Sequence, residues 1–148
     1  MIPKDKEVKL KVYNGDHLIG IESFMVQDIP IPQIAITTRN KPIDMKLGVA
    51  APGPRVLEVQ VIPNKYFQDF LPKDARYRVV EWVITLARGS RPVHTLTANQ
   101  SVVDLHSIAS LAKPGDRLVI EVKKIERKNF KNEIETIIDR SCFNVLLN

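Results

Sequence analysis

Three histidines, one cysteine and a few acidic pairs are the raw material for chemistry in this 148-residue chain. The histidines are His17, His94 and His106, which the local pattern places in a turn, a strand and a helix. No two stand at a short ligand spacing, and neither HExxH nor CxxC occurs, so no metal site is predicted. Cys142 precedes Phe143 in the last apolar stretch, the setting of a small core hydrophobe. A reactive thiol needs a base and an accessible, electropositive site, and the sequence offers neither. No serine lies in GxSxG; Ser101, Ser107 and Ser110 read as a helix cap and a polar helix face. The six glycines form no phosphate loop. Glu121, Glu133 and Glu135 sit on alternating stretches opposite Lys and Arg, where cross-strand charge pairing explains them. No catalytic residue, metal ligand or cofactor is expected.

One cluster does suggest binding. Lys123, Lys124, Arg127, Lys128 and Lys131 surround Phe130. Cations with an interleaved aromatic can follow a phosphate backbone and stack a base. The alternative reading is therefore a basic β module for nucleic acid or another polyanion. Glu126, Glu133 and Glu135 dilute the cluster, which favours a solvated hairpin tip or a protein-contact patch with no nucleic-acid partner.

These residues must be carried by strands. Apolar residues are 44% and charged residues 26% of the chain, the composition of a globular domain. Val and Ile number 16 each, against 12 Leu and 8 Ala, and β-branched side chains favour strands. No run approaches the ~20 apolar residues of a membrane-spanning helix. The segment from Met1 to Glu7 holds no apolar signal core. With a single Cys no internal disulfide can form. The net charge of +5 permits an anionic partner without requiring one.

Glu7 to Val12 alternates strictly, with Val8, Leu10 and Val12 on the face to be buried. Asn14-Gly15 is a hairpin turn, and Leu18 to Val26 is the return strand. Five prolines between Asp28 and Pro54 make that stretch an ordered connection, with a short edge strand at Ile34 and Ile36. Ile43 to Leu47 fits one helical turn or a short strand. Arg55 to Ile62 reads as a strand, and Asn64 to Asp74 as a loop holding Tyr66, Phe67 and Phe70. Arg76 to Arg88 and Pro92 to Thr97 form a second hairpin around Gly89-Ser90. Ser101 and Asp104 resemble the capped start of a helix. Val102, Leu105, Ile108 and Leu111 then follow at helical spacing, ended by Pro114-Gly115; one short helix is predicted over about 101–112. Arg117 to Arg127 alternates with a change of phase at Lys123-Lys124, read as a bulge. Ile134 to Leu147 is predicted as one long return strand. The fold class is mainly β, a β-sandwich-like antiparallel domain with one short helix.

An ordered series of segments resembles a known family. It runs from Asp28-Ile-Pro-Ile-Pro-Gln33 through Lys41-Pro-Ile-Asp-Met-Lys-Leu-Gly-Val-Ala50 to Tyr77-Arg-Val-Val-Glu-Trp-Val-Ile84. It closes with Leu111-Ala-Lys-Pro-Gly-Asp-Arg-Leu-Val-Ile120 and the Ile-rich last strand. This series resembles the C-terminal domain of the GldM/PorM family of the type IX secretion and gliding-motility machinery of Bacteroidota. The family's Gly-rich stretch after the Pro motif is replaced here by Arg39-Asn40-Lys41-Pro42. Its Pro-Asp-Gly turn is replaced by Lys128 to Glu133.

The resemblance implies a periplasmic protein-binding module rather than an enzyme. It implies a dimeric rod anchored in the inner membrane by a segment absent here, contacting outer-membrane-associated ring proteins, with no direct membrane contact by this segment. It divides the chain into a hairpin at 1–27, ending a preceding β domain or starting this one, and a C-terminal-like β domain at 28–148. The candidate protein-contact residues are Ile29, Pro30 and Pro32; Tyr66, Phe67 and Phe70; and Lys128, Phe130 and Lys131. A structural reading stands beside each of the first two groups: the proline stretch as an interdomain spacer, the aromatic loop as a core plug.

Overall fold

Asn14-Gly15 turns where the sequence places it. In the computed structural model, which describes residues 6–148, strand β1 (Glu7–Asn14) pairs antiparallel with β2 (His17–Met25), and Gly15 takes a φ of 61° at the turn. The chain divides between Pro30 and Ile31 into two compact units. The first contains this hairpin. The face expected to be buried is not: Leu10 is 53% and Val12 46% exposed, and Val8 is intermediate. A lone two-stranded ribbon has no second layer to cover it.

The second unit begins with β3 (Gln33–Thr38), β4 (Lys41–Pro42) and β5 (Val56–Ile62). A short helix α1 (Lys65–Phe70) follows, then the hairpin β6 (Arg76–Arg88) and β7 (Arg91–Ala98). After β8 (Val102–Asp104) and helix α2 (His106–Ala109) come β9 (Arg117–Lys128), β10 (Ile134–Ile138) and β11 (Cys142–Leu146). They form two antiparallel sheets. One runs β4-β3-β5-β8; the other runs β10-β9-β6-β7, with β11 also on β9. Ile36, Leu57 and Val59 of the first meet Trp82, Ile84, Leu86, Ile120 and Val122 of the second in one buried cluster. The class is mainly β, as predicted. Burying each large apolar side chain contributes roughly 1.5–3 kcal/mol. The only tryptophan, Trp82, is fully buried and donates its indole N–H to the Gln100 carbonyl at 2.6 Å.

The predicted phase change in β9 is matched by one in β6. The strands pair as Val79↔Ile125, Glu81↔Lys124 and Trp82↔Val122, leaving Val80 and Lys123 without partners. One extra residue on each strand cancels the other, so the register beyond the break is unchanged. The inward parity does change, from Val79 and Ile125 to Trp82 and Val122, and all four are buried. The long ladder thus keeps apolar side chains inside from Leu118 to Ile125, and Arg127 alone brings a charge into the buried row of β9.

Several sequence expectations need correction. The helix predicted over about 101–112 is confined to His106–Ala109, because Val102–Asp104 extends along β5 as the sheet's last strand. β-Branched Val102 and Val103 suit that slot. Leu105 and Ile108 are buried, whereas Val102 and Leu111, the ends of the apparent stripe, are 49% and 44% exposed. Ser101 is therefore not the helix cap: its carbonyl accepts the Val59 N–H at 2.8 Å, the N-cap is Leu105 with no side-chain cap, and the Asp104 Oδ1 accepts the His106 N–H at 2.6 Å. The long last strand is broken at Asp139–Ser141, where the Asp139 carboxylate accepts the Ser141 N–H at 2.6 Å. Cys142 is exposed, not a core residue, because the register of β11 turns Val145 inward. Ile43 to Leu47 is a turn held by Asp44, which accepts the N–H groups of Lys46 and Leu47 at 2.8 and 2.9 Å.

Segments far apart in sequence converge on the chain's end. Val49 N–H donates to the Leu146 carbonyl, Asn148 N–H to the Val49 carbonyl, and Leu147 N–H to the Asp116 carbonyl, all at 2.8–2.9 Å. Gly48, at φ 73°, lies so close that a Cβ there would stand 2.3 Å from the Leu146 oxygen. Asp116 is 1% exposed. Its carboxylate takes two 2.8 Å hydrogen bonds from Arg88 and one of 2.9 Å from the Lys113 N–H. The Arg88 hydrogen bond, above all, holds the Asp116 carboxyl below the usual carboxylate range. The Gly-Asp and Gly-Val-Ala elements noted in the sequence therefore close the sandwich at its C-terminal strand.

Candidate protein-binding surface

Helix α1 was expected as a loop. Asn64 is its cap, the side chain accepting the Phe67 N–H at 3.2 Å. Tyr66 and Phe70 lie four residues apart, one helical turn, and so share a face. They are 75% and 78% exposed. Phe67 alone of the three is partly covered. The aromatic group is therefore not a core plug. Leu71, 51% exposed, extends the apolar surface at the end of the helix.

The hairpin tip between β9 and β10 is tightly built. The Asn129 side-chain oxygen accepts the N–H groups of Lys131 and Glu133 at 2.9 Å each, and its amide donates to Glu133 at 3.0 Å. Phe130 is 45% exposed with the Lys131 ammonium 5.7 Å from its ring centroid, a cation–π contact. The tip is fastened to the chain that leaves α1. Asp74 Oδ1 accepts the Phe130 N–H at 3.1 Å. Arg76 donates to the Asn129 carbonyl and, at 3.2 Å, to the Asn132 side chain. Asp74 is itself tied to α1, its N–H donating to the Leu71 carbonyl at 2.9 Å. Two of the three candidate groups thus share one end of this unit.

Beneath the tip lies a buried charge. Arg127, 6% exposed, donates to Glu135 at 2.8 and 3.2 Å and to the Asp74 carbonyl at 3.1 Å. Its cross-strand neighbour Tyr77 has a buried hydroxyl with no hydrogen-bond partner. Burial pushes the Tyr77 phenol above its ordinary value; Arg127 opposes the shift and Glu135 adds to it.

The basic cluster is largely neutralised. Lys123 pairs with Glu121, Lys124 with Glu81 at 3.2 Å, and Arg127 with Glu135. Lys128 and Lys131 form no ion pair among the described residues. A hollow of about 200 Å³ lies beside the tip, lined by Arg76, Arg78, Glu126, Lys128 and Ile134 among others. Its Arg78 is bound to Glu126 at 2.7 Å. No group of three or more His, Cys, Asp or Glu side chains is placed to hold a metal ion among the described residues.

The proline group divides. Ile29, 45% exposed, and Pro30 belong to the first unit; Pro32 belongs to the second and is buried, so it presents no side chain to a partner. Sequence reasoning missed the helical spacing of Tyr66 and Phe70. The signal was present in Asn64, a good capping residue directly before them.

Two antiparallel sheets around one core, with aromatic and basic side chains gathered at one end, define a β-sandwich-like domain with an amphipathic surface. The chain belongs to the GldM C-terminal domain family, whose model matches residues 30–146. Membership of that family makes the chain a type IX secretion and gliding-motility component; the family's C-terminal domain comes from the periplasmic part of a membrane-anchored protein. Comparison with curated proteins finds no match, and neither does comparison with solved structures. No helix among the described residues is long and apolar enough to cross a membrane.

Proposed function

We propose that this domain is a non-enzymatic protein-binding module. It sits in a dimeric periplasmic rod and contacts outer-membrane-associated ring proteins through the end built by α1 and the β9–β10 tip. The observation that carries this reading is the exposure of Tyr66 and Phe70 on a helix whose exit segment is tied to the tip through Asp74. Exposed aromatics are among the side chains that dominate protein interfaces, and Lys128 and Lys131, unpaired among the described residues, suit the polar rim of one. Neutralisation of Lys123, Lys124 and Arg127 disfavours a polyanion as the partner.

The mechanism is passive: a rigid sandwich presents a fixed surface, and force passes through it to whatever is bound. The test is co-purification of the full-length membrane-anchored protein with the ring components. Paired Tyr66→Ala and Phe70→Ala substitutions, and separately Lys128→Glu with Lys131→Glu, are expected to abolish it while the protein stays folded. Unchanged co-purification in both would overturn the assignment of this surface. Salt-sensitive retention on a labelled oligonucleotide, lost with the lysine pair, would favour the polyanion reading.

A further inference from the structure

We infer that the free edge of β7 is a strand-acceptor site, which takes an extended segment of another protein by adding it to the five-stranded sheet. The inference is independent of the α1 and hairpin-tip surface. β7 pairs only with the Trp82–Arg88 half of β6, away from Arg76 and the tip.

β7 is eight residues long and, among the described residues, β6 is its sole neighbour in the sheet. Beyond that ladder, none of its backbone groups enters a backbone–backbone hydrogen bond among the described residues. No side chain caps them either. From His94 to Ala98, beyond Pro92 and the bulge at Val93, one row of N–H and C=O groups thus stands open among the described residues, a template for another strand.

The other edges of this unit are protected. β4 has two residues and β8 three. β10 carries Glu135 and is short. β11 is covered at its end by Val49, which bridges to Leu147. β7 is guarded only at its turn end, by Arg91, Pro92 and the bulge that leaves Val93 unpaired; from His94 to Ala98 it carries no Asp, Glu, Lys or Arg. Edge charges are a usual guard against strand addition, so the uncharged run from His94 to Ala98 is a liability unless a partner uses it.

The chemistry of the occupant follows from the neighbours. The outer face beside the edge is Val93, Thr95 and Thr97, all exposed, continued on β6 by Val83, Thr85 and Ala87. The Thr85 and Thr95 hydroxyls lie 3.4 Å apart across the pair. A β-branched, uncharged segment continues this face. At the β6–β7 turn stand two cations, Arg91 and Arg117, neither of them ion-paired among the described residues. Arg117 is held there by a 3.1 Å hydrogen bond to the Gly89 carbonyl. The occupant is therefore an extended Val/Thr-rich stretch with carboxylates at the end that reaches this turn.

The experiment uses the whole chain and a fluorescein-labelled synthetic peptide, Ser-Val-Thr-Val-Thr-Val-Ser-Asp-Asp. A second peptide has proline at two central positions, and a third ends in Ser-Ser. Fluorescence polarisation is expected to rise with the first peptide and not with the proline peptide. Amide exchange should slow selectively across Arg91–Ala98. Arg91→Glu, a change at an exposed site, should weaken the acidic peptide roughly tenfold and leave the Ser-Ser peptide unaltered. Failure of the first peptide to bind, equal binding of the proline peptide, or protection appearing on β10 instead would each overturn the proposal.

Discussion

The Asp74 carboxylate accepts the backbone N–H of Phe130 across 56 positions of sequence, at 3.1 Å. The same oxygen lies 3.6 Å from the buried Arg127 guanidinium. One side chain therefore fastens the hairpin tip to the segment leaving α1 and helps balance the charge below it. Asp74→Ala should cost about 1 kcal/mol in urea unfolding, the scale of one lost hydrogen bond. Amide exchange in residues 129–133 should accelerate while β7 is unaffected.

Gly48 is irreplaceable for two separate reasons. Its positive φ strains any L side chain, and a Cβ would drive into the Leu146 carbonyl. That oxygen is backbone, already accepting the Val49 N–H, and cannot move without opening the C-terminal clamp. Gly48→Ala should destabilise by about 2 kcal/mol or more. Gly89, with open space around it, is the control: Gly89→Ala meets only the strain of its φ of 62° and should cost less in the same unfolding titration.

Asp116 makes stability depend on acid. Arg88 depresses its folded pKa below the ordinary 3.8. A depressed carboxylate contributes stability that is present above the unfolded value and disappears as pH falls through the folded one. Asp116→Asn should therefore be less stable than the parent near neutral pH. The gap between their unfolding midpoints should narrow as pH drops below about 4. A gap that is constant across this range would show that the ion pair is not its source.

The Tyr77 hydroxyl is buried without a partner, and a buried polar group left unsatisfied is a cost the fold carries. Tyr77→Phe keeps the ring and removes the oxygen. It is expected to be as stable as the parent or more stable, by up to about 1 kcal/mol. Because the phenol is raised above its ordinary 10.0, the parent should also lose stability in alkali, and the variant should lose less.

Alternation alone located most of the strands. Arg76 to Arg88 and Arg117 to Arg127 were legible because side chains on a strand must point alternately in and out, and burial marks one row. The bulge at Lys123-Lys124 was legible for the same reason, since a phase change leaves a trace in the pattern. Its counterpart at Val80 was hidden, because Val79 and Val80 are both apolar and either parity reads as inside. The apparent stripe Val102, Leu105, Ile108 and Leu111 misled because helical spacing says nothing about an available sheet edge. β5 offered one, and Val102–Asp104 took it.

The sequence by itself determined the β class, the hairpin turns and the absence of recognisable catalytic or metal-binding motifs, because each of these depends on neighbours within a few residues. It also supplied the aromatic and basic candidates as residue types. Tertiary structure decided which of them face solvent. Pro32 is buried, Tyr66 and Phe70 are open, and three of the five clustered cations are ion-paired. Exposure and pairing depend on strand register and on contacts such as Asp74 with Phe130, which join residues far apart in the chain. No local pattern encodes those distances.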